Sequence, residues 1–455
     1  MHHAATSVLA TENDGGIKQR WRPARRARPR RSARCASLAL GTALLLAACS
    51  TATVAPPFPR ATPDAVGLSS ERLAGIDAFI ARLQREHQVA GAVTLLARHG
   101  KLVHLQAHGL ADLETQRAVR VDDLFQLQSM TKPVATVAAL QLMERGVLRL
   151  SDPVARFLPE FANLQVAVAR AGAPGAFDTV PAARPMTIAD LMTHRAGFVG
   201  LPPRATPAAR LQREALGSLP AHRDFTLEQY VARLANVPLD GQPGAEFRYG
   251  PATTVLGRVI EVVTGQPLDV ALQAQIFGPL GMNDTSFRVP ENKRERVVPA
   301  YAFKPGQGLV RLPPDDLAPR FLSAGGNLFG TALDYLRFCQ MLLNGGELDG
   351  VRILSRESVE LMRTPQVDSI PLPFLPGQSL GLGVAVRKAD DPSAWLGSPG
   401  TYGWSGAYNT YFRIDPREQV IFALFVQLEF SPWQLALQHG FHDAAVRAYL
   451  PAATR

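Results

Sequence analysis

Cysteine is scarce in this 455-residue sequence, which contains only Cys35, Cys49 and Cys339. The first two lie in or directly after an expected export signal, so Cys339 has no disulfide partner in the mature chain. It belongs to the apolar run LDYLRFCQMLL, where a thiol is usually a small buried side chain. A disulfide-stabilised scaffold is therefore excluded, although an exported protein meets oxidising conditions.

An acidic surplus is also absent, since 39 Asp and Glu residues face 48 Lys and Arg residues and the formal net charge is +9. Residues 1–48 hold nine basic and two acidic residues, so seven of those nine charges lie there and about two remain for the rest. No basic stripe with interleaved aromatic residues follows. We therefore expect no nucleic-acid partner.

Long hydrophobic runs are missing too. The run CASLALGTALLLAA is shorter than the roughly 20 residues that a membrane span needs, and the basic segment RRARPRRSAR precedes it. This order is typical of a signal peptide, which we assign to residues 1–48. The segment LAAC resembles the lipobox of bacterial lipoproteins and implies acylation of Cys49; cleavage by ordinary signal peptidase is the alternative. We expect an exported protein of the periplasm or cell envelope, anchored to the membrane by that lipid, with a tether over residues 49–62.

The remaining sequence has the composition of a globular protein, with 46% apolar and 19% charged residues. The segment SSERLAGIDAFIARLQREHQ predicts a helix that begins near Ser69, and GAVTLLARHGKLVHLQAHG predicts a hairpin about His99 and Gly100. Three strand-like runs, GLGVAVRK, NTYFRIDP and QVIFALFVQ, precede a C-terminal amphipathic helix. This order predicts one α/β domain with a central antiparallel sheet flanked by helices. We place it at residues 63–455, with sheet regions at 63–125 and 320–455 and a mainly helical inserted region at about 126–319.

The segment SMTKPVATVAALQLMERGVL places a serine and a lysine one helical turn apart. The segment is apolar almost all round, which predicts a buried helix, and Pro133 is tolerated only near the helix start. Residues i and i+3 share a helix face, so the ammonium of Lys132 can reach the hydroxyl of Ser129. A serine needs such a base to become a nucleophile, and the helix N-terminus favours a developing anion. Alone, however, an S-x-x-K tetrapeptide is more often a helix cap with a solvated lysine.

Further segments give the tetrapeptide a context. The sequence resembles the serine β-lactamase and penicillin-binding-protein superfamily, in particular its class C-like branch and the family VIII carboxylesterases, over about residues 63–450. The resemblance rests on SMTK, on FRYGPATTVLGRVIEVVTGQPL with Tyr249, and on three segments in the expected order: MTIADLMTHRAGF, GGNLFGTALDYLRFCQMLLNGGELDGVRILS and GWSGAYNTYFRIDPREQVIFALF. It implies a β-lactamase/transpeptidase-like fold.

The resemblance also implies roles for individual residues. Ser129 matches the acylated nucleophile, Lys132 the residue that keeps it deprotonatable, and Tyr249 the phenol that relays a proton to the leaving group. The third motif of the superfamily falls at Trp404, Ser405 and Gly406, which would contact the substrate. The backbone amides of Ser129 and Ala407 would form the oxyanion hole, and Gly406 would let an edge strand approach the substrate closely.

Two departures from the β-lactamase pattern favour esters as substrates. Pro251 stands where β-lactamases usually carry an asparagine that binds a substrate amide. Trp404 replaces a cation that would hold a substrate carboxylate, as it also does in family VIII esterases. A tryptophan suits small apolar acyl or alcohol groups. The sequence therefore predicts a serine hydrolase of small carboxylic esters that works through an acyl-enzyme.

Several alternatives stay open at this point. A D-alanyl-D-alanine carboxypeptidase or a weak class C-type β-lactamase would use the same residues on an amide substrate, and a catalytically idle envelope lipoprotein would only bind a ligand. The segment GWSGA approaches a nucleophile elbow with Ser405, but its last position is not glycine. We expect His194 to cap or pack. His439 and His442 form an H-x-x-H pattern without an acidic ligand, so we expect surface or packing residues there and not metal ligands. GGNLFG lacks the lysine of a phosphate-binding loop, and we expect no cofactor and no metal.

Overall fold

The computed structural model describes residues 57–173, 176–201, 204–217, 224–367, 376–389, 391, 393–429 and 431–450. The predicted signal peptide, Cys49 and the first part of the tether lie outside the described residues. Among the described residues, no helix combines the length and the apolar character that crossing a membrane requires.

Six of the described helices begin directly after a Ser or Thr whose side chain caps them. The hydroxyl of Ser69 accepts a hydrogen bond from the backbone amide of Arg72 (3.2 Å), so the first helix starts at the predicted serine. The helices are α1 (Ser70–Arg85), α2 (Thr131–Glu144), α3 (Ile188–Met192), α4 (Pro207–Leu216), α5 (Leu227–Ala235), α6 (Ala252–Thr264), α7 (Leu268–Leu272), α8 (Gly278–Leu280), α9 (Ala332–Leu343), α10 (Arg356–Arg363) and α11 (Gln434–Tyr449). The six with a Ser or Thr cap are α1, α3, α4, α5, α9 and α10.

Eight strands form the main sheet, in the order β12-β13-β14-β15-β16-β1-β2-β3, and neighbouring strands are antiparallel. The first and the last strand of the described chain thus pair in the middle of the sheet, where β16 lies beside β1. The expected α/β fold with a central antiparallel sheet is confirmed. The strands are β1 (Gly91–Arg98), β2 (Lys101–Asp112), β3 (Arg117–Ala118), β4 (Phe125–Gln126), β5 (Gln165–Ala169), β6 (Phe177–Pro181), β7 (Tyr301–Lys304), β8 (Gly308–Arg311), β9 (Phe329–Gly330), β10 (Glu347–Leu348), β11 (Val351–Arg352), β12 (Gln378–Leu380), β13 (Ala385–Arg387), β14 (Tyr402–Ser405), β15 (Tyr411–Asp415) and β16 (Val420–Phe425).

The sheet separates two layers of packed side chains. Val93 and Leu95 of β1 face a large core that includes the buried residues of α2. Ala92 and Leu96, which point to the other side of the same strand, face a second core formed with α1 and α11. Each side of this strand is therefore covered, which explains why β1 reads as a continuous apolar run.

Two details differ from the expected arrangement. The inserted region at about 126–319 contains two hairpins, β5 with β6 and β7 with β8, in addition to helices. The run GLGVAVRK is not one strand, because the chain turns at residues 381–384 before β13. Gly383 has φ +67°, and a Cβ there would lie 2.1 Å from the Thr136 hydroxyl on α2. This close approach to the buried helix requires glycine at residue 383. The turn that contains it delays the start of β13 to Ala385.

Candidate active site

Ser129 lies in a short 3₁₀ turn (Gln128–Met130) directly before α2. The expected opening turn at residues 129–132 therefore divides between this turn and the α-helix, which begins at Thr131. Pro133 is the third residue of the helix, where a missing N–H removes no intrahelical hydrogen bond. Every residue from Thr131 to Leu140 is buried, as predicted for a helix that is apolar all round. The serine hydroxyl consequently sits at the N-terminus of a rigid, buried element.

Lys132 connects this turn to a distant glycine loop. Its Nζ donates to the Ser129 Oγ at 3.0 Å and to the backbone carbonyl of Gly325 at 2.7 Å. The side chain is buried, with only 5% of its surface exposed. A Cβ on Gly325 would lie 3.0 Å from the Thr254 hydroxyl and 3.7 Å from the Lys132 Nζ, so the loop is packed against the site. Sequence reasoning missed Gly325, and the paired glycines of GGNLFG were the available signal.

Tyr249 enters the site from the loop that leads into α6. Its backbone exchanges two hydrogen bonds with Leu201, of 2.8 and 3.1 Å, which hold the loop as an isolated antiparallel bridge. The ammonium of Lys132 lies 4.7 Å from the centre of the Tyr249 ring. The structure therefore brings together Ser129, Lys132 and Tyr249, which come from two segments about 120 residues apart in the sequence. A cation over an aromatic face at this distance is attractive.

Trp404 is buried and directs its indole towards Tyr249. The indole N–H donates to the phenol oxygen at 3.3 Å, and the two ring centres are 5.8 Å apart. Because this N–H is committed to the tyrosine, Trp404 orients the phenol in addition to any contact that its ring makes with substrate. Pro251 lies at the cap position of α6, two residues after Tyr249, and supplies no side-chain hydrogen bond to the helix.

The segment after Trp404 packs against the serine turn. A Cβ on Gly406 would lie 2.1 Å from the Thr410 hydroxyl and 2.5 Å from the Leu127 carbonyl oxygen. That hydroxyl donates to the same carbonyl at 2.9 Å. Ser405, the last residue of β14, is partly exposed, and its hydroxyl has no histidine or lysine partner among the described hydrogen bonds. The close contact places the backbone on both sides of Ala407 beside the nucleophile turn.

The prediction that the strand before Gly406 lies at the edge of the sheet is wrong in one respect. Strand β14 lies inside the main sheet, between β13 and β15. However, β13 pairs only with Tyr402 and Gly403, whereas Trp404 and Ser405 pair with β15 alone. The last residues of β14 therefore extend past the end of β13 and present one free side, because β13 is only three residues long.

His194 forms the wall behind the tyrosine. Its ring centre lies 4.7 Å from that of Tyr249 and 6.4 Å from that of Trp404, with the latter pair stacked. Complete burial, with a smaller contribution from the nearby Lys132 charge, lowers the pKa of His194 to about 3. The imidazole is therefore neutral at ordinary pH, and its Nδ1 has no hydrogen-bond partner among the described residues. This position agrees with the expected packing role of His194. The residue that His194 packs against, Tyr249, belongs to the active site.

His439, His442 and Cys339 make no described hydrogen bond or ring contact with Ser129, Lys132 or Tyr249. His442 bonds the Tyr411 hydroxyl through Nδ1 (2.7 Å), and its Nε2 lies 2.5 Å from the Leu396 carbonyl oxygen. His439 packs edge-on against Trp395, with ring centres 3.9 Å apart. Cys339 is a buried free thiol on α9. Packing roles explain all three, as the sequence analysis expects.

Comparisons with known proteins agree with this geometry. The sequence matches the family described as Beta-lactamase over residues 76–446. It is 34% identical to esterase EstB of Burkholderia gladioli over 78% of this chain and 90% of that protein, and 31% identical to penicillin-binding protein 4 of Amycolatopsis lactamdurans over 75% and 82%. Among solved structures, EstCE1, a hydrolase with promiscuous acyltransferase activity, superposes with a TM-score of 0.70 at 28% identity, over 83% of this chain and 99% of that chain.

Proposed function

We propose that this serine hydrolase, a member of the β-lactamase family, cleaves small carboxylic esters through an acyl-enzyme intermediate. The chain belongs to that family because the match spans residues 76–446, most of its length. The observation that carries the proposal is the 3.0 Å contact between the Lys132 Nζ and the Ser129 Oγ, with Tyr249 packed against the same ammonium. A serine hydroxyl held by an amine in this way is the arrangement that nucleophilic catalysis requires.

The proposed reaction has two steps. In the first, the Ser129 oxygen attacks the ester carbonyl while Lys132, as the neutral amine, accepts the hydroxyl proton. Tyr249 relays that proton to the departing alkoxide, which leaves as the alcohol. In the second, the same groups take a proton from water as it attacks the acyl-serine and return it to the Ser129 oxygen as the carboxylic acid leaves. Over the two steps, one water molecule is consumed for each ester bond that is cleaved, and no other reactant is needed.

Stabilisation of the tetrahedral intermediate is assigned to two backbone amides, those of Ser129 and Ala407. The support is that Gly406, directly before Ala407, lies within contact distance of the Leu127 carbonyl in the turn that carries the serine. The N-terminus of α2 adds a favourable field for the developing oxyanion.

The preference for esters rests on what the site does not offer to amide substrates. Pro251 has no side-chain amide, and the indole N–H of Trp404 is already bonded to Tyr249. A buried aromatic wall formed by Trp404, His194 and Tyr249 suits a short apolar acyl group. The similarity to esterase EstB supports the same choice.

Replacing Ser129 with alanine tests the nucleophile. We expect kcat/KM for p-nitrophenyl butyrate to fall about 10³-fold or more, with an unchanged melting temperature, because only a partly exposed hydroxyl is removed. Ser405→Ala is the comparison variant and should lose far less activity, since it removes a hydroxyl that would contact the substrate and not the nucleophile. A fluorophosphonate should label the wild-type protein at Ser129 by peptide mass mapping. Full turnover by Ser129→Ala would refute the assignment.

Parallel assays separate the ester proposal from its alternatives. The similarity to penicillin-binding protein 4 favours testing a chromogenic cephalosporin and a D-alanyl-D-alanine peptide beside the ester. Faster turnover of either amide substrate would favour a β-lactamase or a carboxypeptidase. Absence of both labelling and turnover would indicate an idle binding protein.

We also propose that the protein is exported and anchored to the cell envelope through acylated Cys49. The support is the sequence alone: a basic segment, an apolar run of signal length, and LAAC at its end. Mass spectrometry of the mature N-terminus in a bacterial host should find a lipid-modified cysteine as its first residue, and Cys49→Ala should release the protein from the membrane fraction. An unmodified N-terminus would favour ordinary signal cleavage.

A further inference from the structure

A second group of reactive side chains lies on the other side of the main sheet. Asp77 is on α1, whereas His104 and His108 are on β2, and α1 covers this face of the sheet. The buried Thr94 of β1 lies between the two histidines and shares their face. Since Ser129 and α2 belong to the opposite layer, the sheet separates this group from the hydrolase site.

The three potential ligand atoms converge closely. The Asp77 Oδ1 lies 3.7 Å from the His104 Nε2 and 3.5 Å from the His108 Nε2, and all three atoms lie within 4.8 Å of one another. In a tetrahedral zinc site with bonds of 2.0–2.2 Å, neighbouring ligand atoms are separated by about 3.3–3.6 Å. The distances between the carboxylate oxygen and the two imidazole nitrogens are longer than a good hydrogen bond. They are close to the separation of two ligands bound to the same ion.

The hydrogen bonding within the group is incomplete without an ion. The Thr94 hydroxyl lies 2.8 Å from one Nε2 and 2.9 Å from the other, so it can donate to one imidazole and accept from the Nε2–H of the other, and the carboxylate is the group left without a partner. The Asp77 Oδ1 is buried and has no hydrogen-bond partner in the described residues, although the carboxylate as a whole is 45% exposed. A buried carboxylate oxygen without a partner is unfavourable, and a cation would satisfy it.

The chemistry of the three side chains also suits a metal ion. Each imidazole offers one ring nitrogen, and Asp77 offers a carboxylate oxygen, to the same small space. Two imidazoles and one carboxylate form a donor set that suits Zn²⁺ and the neighbouring divalent ions.

We propose that Asp77, His104 and His108 form a binding site for a divalent transition ion, with Zn²⁺ as the expected occupant. The fourth position is left to water, because the half-exposed Asp77 opens the group to solvent. Thr94 holds the imidazoles in place when the site is empty and remains beside them when it is filled. The ion would join α1 to the first hairpin of the sheet, so its role is to fasten this layer and not to take part in acyl transfer.

Zinc titration of tag-free protein tests the site directly. We expect isothermal titration calorimetry to give one Zn²⁺ per chain with a micromolar or tighter dissociation constant, and the melting temperature to rise by a few degrees with excess Zn²⁺. Asp77→Asn and His108→Gln keep the size of each side chain and should weaken binding by about tenfold or more. Esterase activity without zinc should be unchanged in both variants.

His99→Asn is the matched control, because it removes an exposed imidazole from the adjacent hairpin turn, where asparagine is also favoured. It should bind Zn²⁺ like the wild type. Co²⁺ in place of Zn²⁺ should give the intense visible absorption of a four-coordinate ion in wild type and in His99→Asn only. Undiminished zinc binding in Asp77→Asn and His108→Gln, or no binding by the folded wild-type protein, would overturn the proposal without affecting the hydrolase assignment.

Discussion

Lys132 combines a buried charge with a direct contact to the nucleophile, so its removal should separate activity from stability. Lys132→Met keeps the length of the side chain but removes the nitrogen that bonds the Ser129 Oγ and the Gly325 carbonyl. We expect kcat/KM for a butyrate ester to fall about 10²–10⁴-fold, because the group that accepts the hydroxyl proton as a neutral amine is lost. The melting temperature should stay or rise, since an apolar side chain replaces a buried ionisable group. Lys101→Met, at an exposed position, should change neither quantity; normal activity in Lys132→Met would require another base.

Trp404 offers a second test at the scale of one atom. Trp404→Phe keeps an aromatic ring but removes the N–H that donates to the Tyr249 phenol at 3.3 Å. We expect kcat to fall about tenfold with little change in KM, because about 1.4 kcal/mol of orientation is lost at a group that moves a proton. Trp395→Phe is the control, since the buried Trp395 Nε1 has no hydrogen-bond partner in the described residues. A rise in KM with an unchanged kcat would show that Trp404 only contacts the substrate and does not orient Tyr249.

At the scale of elements, catalysis depends on how closely the end of β14 approaches the turn before α2. Gly406→Ala would place a methyl group 2.1 Å from the Thr410 hydroxyl and 2.5 Å from the Leu127 carbonyl oxygen, so one of the two segments must move. We expect kcat/KM to fall about 10²-fold, because displacements near 1 Å in an active site have that effect. Gly75→Ala on α1 meets nothing within 4 Å and should leave activity intact while stabilising the helix slightly. Equal activity in both variants would show that the contact is not needed.

The element boundaries also show where local sequence signals stop. The predicted start of α1 at Ser69 and the hairpin at His99 are confirmed, because each depends on residues a few positions apart. The free side of β14 could not be predicted, since it results from the short length of β13, and β13 is short because Gly383 must pass close to Thr136 on α2. A strand's neighbours are decided by contacts far along the chain.

For the whole molecule, buried histidines should make stability depend on pH. Burial lowers the pKa of His194 and of His442 to about 3, far below the usual 6.5. Below pH 6.5 the unfolded chain binds a proton at each imidazole that the folded chain does not, so each lowers the free energy of unfolding by about 1.4 kcal/mol per pH unit as pH falls. Asp334 acts in the opposite direction, because burial raises its pKa to about 6 and the folded chain binds that proton first.

Comparing the pH dependence of unfolding in the wild type and in a His442 variant separates the effect of this histidine from that of the other groups. His442→Gln should flatten the pH dependence of the free energy of unfolding by about 1.4 kcal/mol per unit between pH 6 and pH 5, measured by urea unfolding. His99→Asn, which removes an exposed imidazole, is the control with which the slope of His442→Gln is compared. If the slope of His442→Gln equals that of the wild type, His442 is protonated in the folded state and the burial argument fails.

By itself, the sequence determined the family, through segments that resemble it, and also the cap of α1, the buried character of α2 and the one-turn spacing of Ser129 and Lys132. The last three follow from periodicity and from neighbours within one or two helical turns. Only the tertiary structure decided that the Gly325 carbonyl, 193 residues away, holds Lys132, that the Trp404 N–H reaches Tyr249, and that Asp77 of a helix meets His104 and His108 of a strand. Such meetings depend on how the layers pack across the sheet, and no local pattern encodes that packing.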